Sequence, residues 1–233
     1  MNTDNVNSLK SEKCIYDITK FTHLDYPDHL ASIFWFNGCN MRCDFCYNKD
    51  IVFAKEGSYT LEDALAFLHT RKHLLDAVVL SGGEASSYDL TVFCQEIKKL
   101  GFLIKLDTNG TNPLHVKKLL DLDLLDYVAL DYKAPQYKFT QITHSNKYDE
   151  FSKTLDLLIN SDIEFEVRTT LHADLLNSDD INHILLDLKA RGYDKAYYIQ
   201  EFLDTQNNIG NLQKSSKSFD KSKLLSNFPV IWR

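Results

Sequence analysis

Short apolar runs and amphipathic segments alternate along most of the chain. The apolar runs have the length and the bulky composition of buried strands, and the segments between them repeat apolar residues at the spacing of a helix face. This alternation predicts a parallel sheet with helices packed against it. The predicted strands are 31–36, 77–80, 103–106, 127–130, 164–169 and 196–199.

Helix signals fill the intervals between these strands. Leu61, Ala64, Leu65 and Leu68 recur at i, i+3, i+4 and i+7, and Thr60 stands where an N-cap is expected. Similar spacings predict helices over 90–97, 151–158 and 181–188, with a shorter helix after Pro113.

The six strand–helix units run without a break in composition and predict one domain. A doubly wound sheet and a barrel both satisfy the alternation. Six units are fewer than the eight of a closed (β/α)₈ barrel, so an open, partial barrel is one of the architectures that the pattern allows. The predicted boundaries are an N-terminal arm over 1–20, the main domain over 21–202 and a C-terminal tail over 203–233.

Composition and charge indicate an acidic protein of a reducing compartment. The formal net charge is −7 without an offsetting basic stripe, which argues against nucleic acid or an anionic membrane as the main partner. No apolar run of about 18 residues and no signal-peptide pattern is found, so we expect a soluble, cytoplasmic protein. Five cysteines, three of them clustered, favour a reducing compartment over a disulfide framework.

The clustered cysteines, Cys39, Cys43 and Cys46, follow the first predicted strand at the spacing C-x3-C-x2-C. A structural zinc site takes four ligands, and the other two cysteines, Cys14 and Cys94, are distant in the sequence. Three thiolates on a [4Fe–4S] cluster would leave one iron open to a ligand from outside the protein, as a catalytic metal site requires. The spacing therefore favours an open iron–sulfur site, with a zinc site or unligated thiols as the alternatives.

Unusual polar residues follow the predicted strands at their carboxyl ends, where parallel α/β folds bind their ligands. Gly82-Gly83 would let the backbone approach a ligand closely, although an ordinary turn is the simpler interpretation of two glycines. Glu84 next to them could hold a cationic amine. We therefore expect the ligand site at this edge of the sheet.

Charged residues at the neighbouring strand ends allow two interpretations each. Asp107 and Asp131 could bind a hard cation or the hydroxyl groups of a ligand, or they could cap helices. Lys133 and Arg168 could bind a carboxylate, or they could form ion pairs with those same aspartates. The sequence leaves both alternatives open.

Together these segments resemble the radical SAM superfamily. The cysteine spacing, with Phe45 just before the last cysteine, is similar to the cluster motif of that superfamily, and Gly82-Gly83-Glu84 is similar to its glycine-rich motif. The likeness extends from about Phe21 to Phe202. Three more segments resemble the glycyl-radical activating enzymes, and among them the group that activates the anaerobic (class III) ribonucleoside-triphosphate reductase: 105–110, 126–133 and 166–170.

The resemblance implies an incomplete, TIM-like (β/α)₆ barrel and a role for each site residue. Cys39, Cys43 and Cys46 would hold three irons of a [4Fe–4S] cluster, and S-adenosylmethionine (SAM) would chelate the fourth. The other implied cofactor contacts are Phe45 and Tyr47 along the adenine, Gly82, Gly83 and Glu84 at the methionine amino group, Asp131 and Lys133 at the ribose or carboxylate end, Arg168, and Asp107 and Thr108 near a bound monovalent cation.

The implied activity is reductive cleavage of SAM and formation of a glycyl radical on a partner enzyme, above all the class III ribonucleotide reductase. Flavodoxin or ferredoxin would be the reductant, and no catalytic residue is needed beyond the cluster and SAM. The segment 25–28, which carries an aspartate where relatives have glycine, is the expected contact for the partner's glycine loop. The alternatives are a pyruvate formate-lyase-type activating enzyme, a radical SAM enzyme acting on a small molecule, as 7-carboxy-7-deazaguanine synthase does, and a zinc module without activity.

Overall fold

The computed structural model describes residues 12–233. Eight strands form one sheet in the order β1 to β8, so neighbours in the chain are neighbours in the sheet and β1 and β8 lie at its two ends. β1 runs antiparallel to β2, whereas the pairs β2–β3, β3–β4, β6–β7 and β7–β8 are parallel. The strands are β1 Ile15–Thr22, β2 Ala31–Phe36, β3 Ala77–Gly82, β4 Leu103–Thr108, β5 Tyr127–Asp131, β6 Glu164–Leu171, β7 Tyr197–Glu201 and β8 Val230–Trp232.

Helices separate the strands from β2 to β7. This alternation along one open sheet confirms the predicted α/β fold with the topology of a partial (β/α)₆ barrel. Within residues 12–233, no helix is long and apolar enough to cross a membrane. The α-helices are α1 Lys49–Phe53, α2 Leu61–His69, α3 Thr91–Leu100, α4 Pro113–Asp121, α5 Gln136–Thr143, α6 Tyr148–Ile159 and α7 Ser178–Ala190, with short 3₁₀ turns at Ala85–Ser87 and Lys221–Lys223.

Several elements lie outside the sequence prediction. The single turn α1 and the helix α5 were not expected, and most of β1 falls inside the segment predicted as an N-terminal arm. The segment predicted as a C-terminal tail contains β8, which pairs with β7. Both flanking segments therefore extend the sheet, and the first residues of the predicted arm, 1–11, lie outside the described part of the chain. The boundary at residue 202 stays a prediction.

The chain divides into two compact units. Among the described residues, the first unit comprises 12–40, 50–108 and 114–128, and the second comprises 41–49, 109–113 and 129–233. The strands β1 to β4 belong to the first unit and β6 to β8 to the second.

In the first unit, three parallel strands begin and end at matching levels. Ala31 pairs with Ala77 and Ala77 with Leu103, so β2, β3 and β4 start together and lead their carboxyl ends to one edge. Phe34 of β2 is fully buried and packs 6.0 Å from Phe93 of α3, measured between ring centroids. This register places the residues that follow each strand side by side.

Helix α2 begins as its sequence predicts. The Thr60 hydroxyl accepts a hydrogen bond from the Asp63 backbone N–H (3.1 Å), and the Asp63 carboxylate accepts one from the Thr60 N–H (2.9 Å). This capping box satisfies two backbone donors that the first turn of a helix leaves without an internal partner. The prediction of Thr60 as the N-cap is confirmed.

The segment 25–28 packs at the opposite end of the same strands. Tyr26 is 4% exposed and belongs to a core cluster with Ala31, Ile33, Ala77 and Val79. Since Ala31 and Ala77 are the first residues of β2 and β3, Tyr26 lies at the amino ends, whereas Cys39 follows the carboxyl end of β2. Asp25 of the same segment nevertheless accepts a hydrogen bond from Lys105 Nζ at its carbonyl (2.5 Å), and that Nζ lies 2.9 Å from Asp107. The expected contact between segment 25–28 and a partner's glycine loop therefore stays a prediction.

In the second unit, a long connection between β7 and β8 returns across the unit. Its residues 203–217, which we call the strap, are tied to the end of β6 at one side. His172 Nε2 lies 2.8 Å from the Gln213 carbonyl oxygen, and the Asp174 carboxylate accepts a hydrogen bond from the Ser216 N–H (2.9 Å). The strap is therefore anchored backbone rather than a loose surface loop.

Candidate functional site

The second and third cysteines of the motif lie on a loop, 41–48, whose backbone is held by the end of α5. The Arg42 N–H donates to the Thr143 carbonyl (2.9 Å), and the Asp44 N–H donates to the Ile142 carbonyl (3.0 Å). Cys43 is 6% exposed, and Cys46 is partly buried. The loop is thus fixed by main-chain bonds that do not depend on its side chains.

The strap holds the other side of this loop. The Ile209 N–H donates to the Cys46 carbonyl (3.1 Å), and the Gly210 N–H donates to the Asp44 carbonyl (2.8 Å). Gly210 approaches so closely that a Cβ there would lie 2.6 Å from the Asp44 Cβ. The Asn208 side chain, 2% exposed, shapes the turn by accepting from the Leu212 N–H (2.6 Å) and donating to the Leu212 carbonyl (2.8 Å).

In the first unit, the two glycines after β3 pack against the backbone that leads to Cys39. A Cβ on Gly82 would collide with the backbone of Phe36, and a Cβ on Gly83 would collide with the carbonyl of Gly38. Gly82 also has φ of +117°, which L side chains rarely adopt. The glycines are required by close approach of the protein's own backbone, and the Glu84 N–H then donates to the Gly38 carbonyl (2.9 Å).

Glu84 is buried, at 1% exposed, in a cluster of hydroxyl donors. Its Oε1 accepts hydrogen bonds from the Ser86 hydroxyl (2.6 Å), the Ser86 N–H (3.2 Å) and the Thr108 hydroxyl (2.7 Å). Hydrogen bonds from these donors fix the orientation of the carboxylate. The carboxylate of the glycine-rich motif is therefore a fixed acceptor beside the residues that precede Cys39.

Asp107, at the end of β4, is engaged by two side chains. Its Oδ2 accepts from the Ser81 hydroxyl (3.0 Å), and its Oδ1 lies 2.9 Å from the Lys105 Nζ. The side chains of Lys105 and Asp107 are only 4% and 13% exposed. Lys105 stands two residues before Asp107 on the same strand. It thus forms a buried ion pair with a predicted site residue.

In the second unit, side chains of alternating charge run across the strands. Asp131 Oδ2 lies 2.9 Å from Lys133 Nζ, and Asp131 Oδ1 lies 2.6 Å from Arg168 Nε. Arg168 also approaches Glu166 (4.0 Å), which Arg233 binds through both guanidinium nitrogens at 3.0 and 2.7 Å. For Lys133 and Arg168, the structure shows the ion pairs with Asp131 that the sequence left as an alternative.

The charges within this network set the protonation of its members. Burial opposes ionisation of Asp131, but Arg168 and Lys133 outweigh it and lower the pKa of Asp131 to about 2. Burial also opposes the charge of Lys133, but Asp131 and then Cys43 raise its pKa above the usual value. Asp131 and Lys133 therefore stay charged throughout the physiological range.

Lys133 connects this network with the cysteine loop. Its Nζ lies 5.6 Å from the ring centroid of Phe45, within the range of a cation–π contact. Burial raises the pKa of the Cys46 thiol, and the positive charge of Lys133 works against that shift. Phe45 is buried, whereas Tyr47 is 48% exposed, so the two aromatic residues that flank Cys46 differ in accessibility.

The donor atoms fit an iron–sulfur cluster by their chemistry. All five cysteines of the chain carry thiols, and three of these come from one short segment. Thiolates are the ligands that hold such clusters in proteins. Within residues 12–233, no group of three or more His, Cys, Asp or Glu side chains is arranged as a ready-made metal site. The binding of a cluster by Cys39, Cys43 and Cys46 therefore stays a prediction.

Sequence reasoning found most of the side chains that the structure brings together, although their roles stay predictions. In the first unit these are Gly82, Gly83, Glu84 and Thr108, and in the second unit Phe45, Asp131, Lys133 and Arg168. It missed Lys105, Glu166 and Arg233 as partners of predicted residues. A charged residue inside a predicted strand, as Lys105 and Glu166 are, was the signal in the sequence that could have indicated a buried ion pair.

Comparison with known proteins gives consistent results. The family model of the radical SAM superfamily matches residues 33–188. A Methanocaldococcus jannaschii protein that is provisionally named a glycyl-radical enzyme activating enzyme is 30% identical over 195 residues, which are 79% of this chain and 78% of the relative. The pyruvate formate-lyase 1-activating enzyme of Escherichia coli K12 is 35% identical over 88 residues, which are 35% of this chain and only 36% of that enzyme.

A solved structure has the same fold at low sequence identity. The crystal structure of SuiB from Streptococcus suis, bound to the precursor peptide SuiA, superposes with a TM-score of 0.64 and 11% identity. The match covers 86% of this chain and 48% of SuiB, so this chain spans about half the length of that protein. At this identity the likeness concerns the fold alone.

Proposed function

This chain belongs to the radical SAM superfamily as an enzyme of the glycyl-radical activating group, and we propose that its partner is an anaerobic (class III) ribonucleoside-triphosphate reductase. The observation that carries the activating role is the likeness to the M. jannaschii protein along four fifths of the chain, and this likeness supports a glycyl-radical enzyme as the partner. The likeness of segments 105–110, 126–133 and 166–170 to the reductase-activating group supports the choice of partner.

The cofactors in this proposal are a [4Fe–4S] cluster held by Cys39, Cys43 and Cys46, and SAM bound at its fourth iron. When bound by these three cysteines, the cluster would supply the one-electron reduction of SAM that the abstraction of a hydrogen atom from the Cα of a partner glycine requires. Flavodoxin or ferredoxin would supply the electron. The rest of the work falls to side chains that bind and orient SAM.

Glu84 would receive the methionine amino group, because its carboxylate is held in place by Ser86 and Thr108 and is buried from water. Gly82 and Gly83 would place it there, since their contacts with the backbone of Phe36 and Gly38 fix the start of that segment. A fixed acceptor costs no reorganisation when the amine arrives. The position of the bound amino group would therefore be determined by residues 82–84.

Lys133 and Arg168 would recognise the carboxylate and ribose end of SAM together with Asp131. The ion pairs with Asp131 hold both cations in place, and Phe45 beside Lys133 offers an aromatic face for the adenine. Tyr47 is accessible enough to cover the other part of the base. No side chain is needed as a general acid or base, because hydrogen-atom transfer moves the proton and the electron together.

A second candidate partner is a pyruvate formate-lyase. The 35% identity with the E. coli activating enzyme favours it, but this match covers about a third of either protein. Both candidates use the same cofactors in this proposal, so they differ only in the glycine-bearing protein.

The first experiment compares Cys43→Ala with Cys94→Ala, which alters a buried thiol on α3 away from the motif. After anaerobic reconstitution, Cys94→Ala should keep the broad absorption near about 400 nm of a thiolate-ligated cluster, together with SAM cleavage. Cys43→Ala should lose both while its thermal unfolding stays cooperative. SAM cleavage by a folded Cys43→Ala protein would contradict the proposed role of the cysteines.

The second experiment identifies the partner. The reconstituted enzyme is mixed under anaerobic reduction with SAM and either a class III reductase or a pyruvate formate-lyase, and the glycyl doublet is recorded by electron paramagnetic resonance. We expect the doublet with the reductase, and its loss when the reductase glycine is replaced by alanine. A doublet with the lyase alone would replace the proposed partner by the second candidate.

A further inference from the structure

Lys105 is a charged residue in the interior of the first unit. It stands in the middle of β4, where the flanking residues Ile104 and Leu106 are fully buried, and Lys105 itself is only 3% exposed. Its Nζ lies 2.9 Å from Asp107 Oδ1 and donates a hydrogen bond to the Asp25 carbonyl (2.5 Å). The position of the charge is thus fixed by two oxygens.

A buried charge is stable only when it is compensated. Asp107 receives that compensation from Lys105, and a further hydrogen bond from the Ser81 hydroxyl (3.0 Å). A carboxylate, a hydroxyl and a backbone carbonyl are hard oxygen donors with one negative charge in total, a set that suits a singly charged cation. In this chain, the positive charge beside these donors is that of Lys105, a side chain of the same strand as Asp107.

The resemblance of this chain to the activating enzymes implies a bound monovalent cation near Asp107 and Thr108. The donors do not fit such an ion, because the charge of Asp107 is already balanced inside the fold and the Thr108 hydroxyl is directed to Glu84 (2.7 Å). In the second unit, Asp131 is likewise balanced by Lys133 and Arg168. Each predicted acidic ligand is thus paired with a side-chain cation.

We propose that Lys105 is a built-in replacement for the monovalent cation, so that this enzyme has no potassium or sodium site at the carboxyl end of β4. The inference refines the cofactor part of the proposed function. Its consequence is that the charge at Asp107 does not depend on the ions of the medium. Removal of the Lys105 amino group should create the cation site that the intact chain lacks.

The test measures thermal unfolding as potassium replaces tetramethylammonium at constant ionic strength, with the protein as purified and without SAM. The melting temperature of the wild type should not respond. Lys105→Ala should unfold at a lower temperature in tetramethylammonium and recover by roughly 5 °C in saturating potassium or ammonium, because a ligand that binds only the folded state stabilises it. Ammonium is included because it is the closest mimic of the missing group.

The control is the double variant Lys105→Ala/Asp107→Asn, which removes both charges and should not respond to potassium. If Lys105→Ala does not fold, Lys105→Gln takes its place with the same expectation. A saturable rise of the wild-type melting temperature with potassium would overturn the inference. A folded Lys105→Ala or Lys105→Gln protein whose melting temperature does not change with potassium would overturn it as well. Neither SAM nor the cluster enters the measurement, so a failure of the proposed function would not alter its outcome.

Discussion

Replacement of Gly210 by alanine tests whether the strap holds the cysteine loop. A Cβ at residue 210 would lie 2.6 Å from the Asp44 Cβ and 2.9 Å from both the Asp44 Cα and its carbonyl oxygen. Carbon atoms in contact prefer separations of about 3.5–4.0 Å, so the strap must retreat by roughly 1 Å. That movement lengthens the bond from the Gly210 N–H to Asp44 and the bond from the Ile209 N–H to Cys46.

The cost follows from these contacts. Loss of two backbone hydrogen bonds at about 0.5–1.5 kcal/mol each amounts to about 1–3 kcal/mol. Replacement of glycine by alanine restricts the unfolded chain and returns about 0.4–1 kcal/mol, because the φ of Gly210 is not in the left-handed region. With the middle of each range, the net destabilisation is about 1.3 kcal/mol, which lowers the melting temperature by about 3–5 °C for a chain of this size.

The assay combines thermal unfolding with iron content after anaerobic reconstitution. Gly101→Ala is the matched control: a Cβ there meets open space, but φ of +89° makes alanine cost about 1–2 kcal/mol at a site far along the chain from the cysteines. Both variants should lose stability, and only Gly210→Ala should also lose iron. Wild-type stability and iron content in Gly210→Ala would refute the reasoning, as would equal iron loss in the control.

Two further predictions concern the buried charges of the second unit. The pKa of Asp131 is about 2 in the folded state and about 3.9 in the unfolded chain, so its stabilisation is complete above about pH 5 and declines as the pH falls towards 2. Of about 2.6 kcal/mol in total, about 1 kcal/mol should disappear between pH 5 and pH 3 in urea unfolding, and Asp131→Asn should lack this component; an unchanged pH slope in that variant would contradict it. Arg233→Ala should cost about 1–2 kcal/mol, less than for a fully buried pair, because the Arg233 side chain is 39% exposed and Arg168 still approaches Glu166. The double variant Glu166→Gln/Arg233→Ala should recover most of this loss, and equal stabilities of the single and double variants would argue against the ion pair as its cause.

The fold could be predicted because its signals are local. Most strands from β2 to β7 carry a short apolar run, whereas β6 alternates apolar and polar residues, and both patterns can be recognised without the neighbouring strands. Parallel order follows from the intervening helices. β1 escaped prediction because six of its eight residues are half-exposed or exposed and its sequence does not form a continuous apolar run. β8 has only three residues, too few for any periodicity to appear.

The sequence was enough to predict which residues lie at the candidate site. It was not enough to predict which side chains form ion pairs or hydrogen bonds with them. Strand ends identify which side chains share an edge, and that is enough to find Glu84 or Lys133. The partners of those side chains depend on contacts between distant segments, as between Arg233 and Glu166, and no local pattern encodes them. The close contact of Gly210 with Asp44 could not be predicted for the same reason. A glycine in a polar segment indicates only a turn as long as the opposing backbone is unknown.

In each unit, the backbone next to the motif cysteines packs against a glycine that leaves no room for a side chain. In the first unit a glycine, Gly83, has no room for a side chain against the carbonyl of Gly38, and in the second unit Gly210 has none against Asp44. Both contacts join main chain to main chain next to motif cysteines. The backbone around the thiols is therefore specified by glycines at other places in the sequence. Substitutions of exposed residues in the cysteine loop should consequently be tolerated better than alanine at either glycine, although these glycines carry no chemistry of their own.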